Sequence, residues 1–411
     1  MTYKMIVLIV ITGLLSACGF EQSPMTFVKK PAQAETRATL LKQIEEDFPD
    51  GEMLSPTIGR EKQTISLKDL DGEEGEEAIA VIKMPDRNPA LSLVVYQKNQ
   101  DDWEILYEKQ LNGDQLNDLI FEDVTNDGLL NLIVGISMGQ EELNNLFIYK
   151  CTSEGFKQIF EKSYSIADVD NLNEDGKKQL FLLHSVRNIE AYLTSYQLDL
   201  GKDPVASKVE LDPMIYFEKM KVGMVSPEQR GLIIDGSVGA HSGVSYVLTE
   251  RNDKLVKLID AYDPKAFKPY PLYSRDINKD GIIEIGNFYA PPGWEDEPMV
   301  AIPWIEVYYQ WEGNDQYRTI QERYTDYGNG YIITMESEWS GNVTIEKPEN
   351  GVIIRSVKTE KVLLEIRWSQ PDEWKPGEDF AQLKKTDRYR YEIKRSTSQY
   401  KDNFSLLADD Y

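Results

Sequence analysis

Two cysteines and two histidines are all that the 411 residues contain of either type. A structural zinc site takes about four nitrogen or sulfur ligands, so Cys18, Cys151, His184 and His241 are too few and too scattered to build one from these types. If Cys18 is engaged elsewhere, Cys151 has no intramolecular disulfide partner and reads as a small apolar filler at a strand end. The sequence lacks a Walker loop, a dinucleotide fingerprint, His-Glu-x-x-His and a Gly-x-Ser-x-Gly elbow, and with them the chemistries those motifs carry. Base is also short, with 45 Lys and Arg against 70 Asp and Glu and a net charge of −25. Such a field repels nucleic acid and attracts cations, so nucleic acid is not an expected partner. Beyond residue 15 no apolar run approaches the roughly 20 residues that a spanning helix needs.

What is present begins with a leader. Lys4 supplies one positive charge, Met5 to Leu15 is an uncharged apolar run, and Leu15-Ser16-Ala17-Cys18 closes it. That layout is a signal peptide, since the run is about half the spanning length. The closing tetrad is similar to the lipobox of bacterial lipoproteins, which implies cleavage after residue 17, lipid on Cys18 and attachment to the extracytoplasmic face of the cell membrane. Residues 18–35 read as a flexible tether. Within 36–56, Leu40, Leu41, Ile44 and Phe48 fall at helical spacing ahead of Pro49-Asp50-Gly51, predicting a short helix on the body.

One pattern then repeats: an apolar strand, a loop rich in Asp, Asn and Gly, and a second apolar strand. It starts at Asp69, Asp123, Asp168 and Asp276, and Leu232 to Ser237 reads as a decayed copy inside the last interval. A period near 50 residues with further strands between, such as Leu91 to Tyr96, Trp103 to Tyr107 and Leu146 to Tyr149, is the size of a β-propeller blade. These repeats resemble the FG-GAP/VCBS family, the blades of integrin α-subunit propellers and many bacterial surface proteins. The fold expected is therefore mainly β: a propeller over 57–311, followed by a small strand-rich domain over 312–411.

The loops carry the chemistry. Calcium takes several hard oxygen ligands, and alternating Asp and Asn before a turn glycine points oxygens inward. Asp276, Asn278, Asp280 and Glu284 stand at positions 1, 3, 5 and 9, with Gly281 at 6. An EF-hand would place Glu at position 12, where this chain has Asn287, so the loop is read as the propeller type. Counted alike, the other loops offer Asp69, Asp71, Glu73 and Glu77, then Asp123, Asp127 and Asn131, then Asp168, Asp170, Asp175 and Gln179. Calcium is expected as a structural cofactor, bound more strongly at the first and fourth loops than at the second, since affinity follows ligand charge. Asp, Asn and Gly also make tight turns without metal.

Residues 301–411 carry 15 basic and 20 acidic side chains, so the greater acid excess lies in the repeats. The segments 305–311, 330–337, 342–347, 351–356, 361–368 and 388–394 are strand-like, and tryptophans at strand spacing read as core. His241 and Ser242 are adjacent, and neighbours on a strand face opposite ways, so they make a poor nucleophile and base pair. The function expected is a non-catalytic envelope lipoprotein that binds protein or polysaccharide. The alternative is an envelope hydrolase with paired carboxylates.

Overall fold

The computed structural model describes residues 32–58, 61–100, 102–139, 143–152, 155–173, 175–313, 316–372 and 378–409. The leader, Cys18, most of the tether and Trp374 lie outside the described residues. Helix α1 (Ala32–Asp47) begins four residues earlier than expected, within a stretch rich in the helix formers Ala and Glu. Leu40, Ile44 and Phe48 are buried on the first sheet beside Ile65, Ile82 and Trp103, while Leu41 stays on the open side.

Among the described residues, 27 strands form six antiparallel sheets. Sheet one contains β1 (Glu52–Met53), β2 (Ile65–Lys68), β3 (Glu77–Lys83), β4 (Leu91–Asn99) and β5 (Asp102–Leu111). Sheet two follows as β6 (Gln115–Glu122), β7 (Asn131–Ser137), β8 (Asn144–Thr152) and β9 (Gly155–Tyr164). Sheet three is β10 (Ile166–Asp170), β11 (Gln179–Val186), β12 (Glu190–Gln197) and β13 (Val205–Glu210). Sheet four is β14 (Tyr216–Ser226), β15 (Gln229–Val238), β16 (Ser242–Arg251) and β17 (Lys254–Ile259). Sheet five takes β18 (Ile285–Tyr289), β19 (Ile305–Gly313), β20 (Gln316–Asp326) and β21 (Tyr331–Thr334). Sheet six is β22 (Val343–Glu346), β23 (Gly351–Ser356), β24 (Val362–Ser369), β25 (Phe380–Lys385) and β26 (Arg390–Lys394), after which β27 (Phe404–Leu406) returns to pair with β21.

The chain divides into two compact units, one of residues up to 56, 62–69 and 73–114, the other of 57–61, 70–72 and 115–411. In the first unit, α1 covers sheet one. In the second, each sheet packs on the next. Val124, Ile133 and Leu146 meet Val169, Leu180 and Leu182 between sheets two and three, and Phe181 and Leu193 meet Leu232 and Tyr246 between three and four. Ile233 and Val247 meet Ile285 and Trp311 between four and five, and Ile305 and Tyr331 meet Ile354 and Ile366 between five and six.

A strand covered on both faces loses its alternation of apolar and polar residues, which is why Leu132-Ile133-Val134 and Leu180-Phe181-Leu182-Leu183 are continuous apolar runs. The last strand of a sheet is more open, as in β13, where no residue is fully buried. Cys151 is buried near the end of β8, and Trp311, Trp339 and Trp368 are core. The boundary expected at 312 falls inside β19, which pairs with β20 across residue 313, so the chain passes from 305 to 334 within one sheet.

Candidate metal-binding loops

Loop 69–77 joins β2 to β3, 123–131 joins β6 to β7 and 171–179 joins β10 to β11, while 276–284 leads from the isolated Arg275–Glu284 bridge into β18. Register sets each frame, because the residue before the loop pairs with the ninth loop position: Lys68 with Glu77, Glu122 with Asn131, Asp170 with Gln179, and Arg275 with Glu284. The loops are therefore 69–77, 123–131, 171–179 and 276–284. In all four the ninth side chain is buried.

This frame corrects two expectations. The third loop starts at Asn171 rather than Asp168, with Asn173, Asp175 and Gly176 at positions 3, 5 and 6. Asp168 and Asp170 belong to β10, where Asp168 stands opposite Phe181. The supposed copy at Leu232 to Ser237 is the middle of β15. Sheet four closes the equivalent junction with a tight turn between Ser226 and Gln229. Asp235 instead lies buried beside β16, accepting from Lys268 Nζ at 2.9 Å and from the Ser274 N–H at 2.7 Å, and Ser245 also donates to it. Burial pushes the Lys268 amine down, and Asp235 opposes that shift.

Loops 123–131 and 276–284 share one template. Asp123 accepts the N–H groups of Asp127 (3.2 Å) and Gly128 (2.7 Å), and Asp276 accepts those of Asp280 (3.0 Å) and Gly281 (2.8 Å). Asn131 Oδ1 receives the Val124 N–H at 2.9 Å, and Glu284 Oε2 receives the Ile277 N–H at 2.9 Å. The fourth and sixth positions are left-handed in both, Asn126 and Gly128 at φ 56° and 92°, Lys279 and Gly281 at 62° and 88°. Asn and Gly are the residues that enter this region most easily, and the sixth position is Gly in both copies.

What surrounds the template differs. Asn131 Oδ1 also takes the Thr125 N–H (3.0 Å) and hydroxyl (3.2 Å), so it is saturated. Lys150, buried on β8 directly opposite Asn131, ion-pairs with Asp127. Burial alone would raise Asp127, but the Lys150 ammonium and the Leu129 N–H hold its carboxyl below the usual range. In the other copy, Gln310 on β19 reaches Asp280 Oδ2 and Glu284 Oε1, each at 3.4 Å. Glu284 is wholly buried, and desolvation together with Asp280 and Asp276 pushes it up to about 7. Desolvation pushes Asp280 up, yet its bonds from Asn278, the Ile282 N–H and Gln310, with the nearby charge of Arg318, hold it below the usual range.

In the first loop, Asp69, Asp71 and Glu77 each bring an oxygen within 4.8 Å of the others, the one such gathering among the described residues. Glu73 is not part of it. Loop 276–284, the most regular in sequence, does not draw three carboxylates that close. In the third, Asp175 accepts from Asn171 Nδ2 (3.0 Å) and the Lys177 N–H (2.8 Å), while Asp170 faces Arg230 (3.1 Å) and Lys178 (3.7 Å). The donor sets of 69–77 and 276–284 fit calcium in offering hard oxygens and several carboxylates, with the Arg318 guanidinium near enough to loop 276–284 to act on Asp280. That of 123–131 fits less well, because an ammonium already sits on Asp127.

These loops also tie neighbouring sheets of the second unit together. Asn126 exchanges two hydrogen bonds with the Lys178 backbone, at 3.1 and 2.7 Å. Asn173 and Gln179 donate to Glu250 on β16 at 3.2 and 2.8 Å. The Ile283 N–H reaches Met224 on β14 at 2.8 Å.

Sequence reasoning missed Lys150, Gln310 and Asn171, and it placed Asn173 in the third repeat without counting it among the ligands. The first two lie 19 and 26 residues beyond their ninth-position partners, and only strand register brings them in. Asn171 and Asn173 had a local signal, since counting back from Asp175-Gly176 gives the frame of the other loops. His241 lies in the turn between β15 and β16, its ring 6.4 Å from that of Tyr270.

No protein-family model matches the chain, and no curated protein matches it. Among solved structures, Saccharomyces cerevisiae Sqt1 is similar at a TM-score of 0.35 and 10% identity, over 82% of this chain and 84% of that one. The AfRom2 CNH domain is similar at a TM-score of 0.28 and 9% identity, over 84% of this chain and 98% of that one. Likeness of that depth carries no argument about this chain.

Proposed function

We propose that this chain is a non-catalytic cell-envelope lipoprotein, anchored through lipid on Cys18, whose calcium-stabilised β-propeller of FG-GAP/VCBS-like blades offers a binding surface to a protein or polysaccharide. The observation that carries this reading is the recurrence of acidic loops at one junction of successive sheets, where they hook onto neighbouring sheets. Their acids serve the scaffold rather than converging on a reacting atom. Calcium suits that role, because it joins carboxylates that would otherwise repel.

A binding surface is supported at the strand ends opposite those loops. There the β11–β12 turn and the β13–β14 connection present Ile189, Met214 and Tyr216, with Tyr262 beside them, all exposed. The segment is ordered, since the Asn188 N–H meets Pro213 O at 2.9 Å and the Tyr262 hydroxyl donates to Asp212 at 2.6 Å. Exposed aromatic and apolar side chains on a fixed frame are the material of interfaces.

The test is binding by the full chain to isolated wall polysaccharide and to purified envelope proteins. Saturable binding, weakened by Tyr216→Ala with Met214→Ser at unchanged melting temperature, is expected. Turnover of a wall substrate without saturable binding would overturn the reading in favour of the hydrolase. For the anchor, Cys18→Ser should leave the membrane fraction or stay unprocessed; a variant that is cleaved yet still partitions with membranes would contradict it.

A further inference from the structure

We propose that Lys150 is a built-in cation for the 123–131 loop, an ammonium lent by the neighbouring strand in place of a divalent ion, and that the residue at this cross-strand position decides whether a loop of this template depends on metal. The second half rests on the calcium reading of loop 276–284; the first half does not.

The case is a comparison of two copies of one backbone. Both loops make the same bonds from their first and ninth residues to the same N–H groups, and both turn through left-handed residues at the fourth and sixth positions. The fifth residue receives a donor on Oδ2 from the same place in each sheet. Lys150 pairs across the strands with Asn131. Gln310 is one step beyond the Ile285–Tyr309 pair, which sets it against Glu284. Both donors are buried, Lys150 at 4% and Gln310 at 0% exposure. They differ in charge, and the loop they serve differs to match.

Opposite Lys150 the loop contains two carboxylates, Asp123 and Asp127, with the neutral Asn131 at position 9. Opposite Gln310 it contains three, with Glu284 at that position. A buried ammonium beside three carboxylates would compete with a divalent ion; beside two it offsets one of the two charges and halves the repulsion that a divalent ion would otherwise relieve. Burying an ammonium is costly unless a partner is held against it, and the Asp127 carboxylate, fixed by Thr125 (3.3 Å) and the Leu129 N–H (3.3 Å), is that partner.

The experiment uses the full chain in detergent, with calcium chloride as the only ligand, and reads melting temperature and the number of ions bound by calorimetric titration. Lys150→Gln is expected to lower the melting temperature by several degrees in chelator and to bind one more calcium than the parent. Lys150→Gln with Asp127→Asn should recover much of that loss without calcium, because the uncompensated carboxylate is gone. Gln310→Lys should bind one fewer calcium and melt with a smaller calcium response. An unchanged melting temperature and ion count in Lys150→Gln, or a double variant no more stable than the single, would overturn the proposal. If the parent binds no calcium, the reading of loop 276–284 fails, and the Lys150→Gln and Asp127→Asn pair still decides the role of Lys150 in chelator alone.

Discussion

Loop 276–284 and the C-terminal sheet handle negative charge in different ways. In sheet six, carboxylates lie on strand faces next to basic side chains: Glu346 by Arg355 at 2.6 Å, Glu392 by Arg367 at 2.8 Å, Glu365 by Lys394 at 2.6 Å. The first pair holds Glu346 below its usual range and pushes Arg355 up. In loop 276–284, Asp276 and Asp280 fold onto their own backbone N–H groups instead. A turn can satisfy every hydrogen bond of a carboxylate and still leave its charge, whereas a cross-strand partner removes both needs at once. The sheet is therefore complete as folded, and the three carboxylates of loop 276–284 call for a cation.

The largest expected effect extends the sheet's solution into the core. Glu306 and Arg323 form a buried pair, with Tyr327 donating to Glu306 at 2.8 Å. Arg323→Met strands the glutamate and should cost about 3–5 kcal/mol by urea unfolding, equally with calcium or chelator. A calcium-dependent loss would break the contrast.

Next comes the loop pair. At a hundredfold excess over Kd, calcium bound only to the native state adds about 2.7 kcal/mol. Asp276→Ala with Asp280→Ala should abolish the share of that stabilisation owed to its loop. Asp123→Ala with Asp127→Ala should destabilise in both buffers alike, since it strands Lys150 rather than an ion. Equal calcium responses in the two double variants would contradict the distinction between the loops.

A pH effect sharpens it further. Glu284 is raised to about 7 in the fold from an ordinary 4.5, so without calcium the native state takes up its proton more readily than the unfolded chain. Chelated protein should therefore lose stability as pH rises from about 4.5 to 7, and Glu284→Gln should flatten that slope. A slope unchanged by the substitution would place its origin elsewhere. The smallest effect belongs to exposed pairs: Arg355→Ala should shift the urea midpoint least of these variants, and less still at high salt.

Much of the strand content was legible, because runs such as Leu91 to Tyr96 and Gly351 to Ser356 state their period locally. The turn glycines at 128, 176 and 281 were legible for the same reason. Register was not. Asp168 looked like a loop acid because it precedes Asp170 and Asp175, yet pairing of β10 with β11 runs through Asp170 and starts the loop at Asn171. Asp235 looked like a worn loop because an acid and a glycine follow an apolar run, but here the acid is buried against Lys268, 33 residues on. Lys150 and Gln310 share no local motif; what they share is a place across a strand, which a linear pattern does not encode.

The most direct test of the account is thermal melting of the full chain with millimolar calcium and with chelator. Loops 69–77 and 276–284 predict a drop of several degrees in chelator, restored on adding calcium back. Superimposable curves would show that these carboxylates are content as turns, and the cation would leave the account entirely.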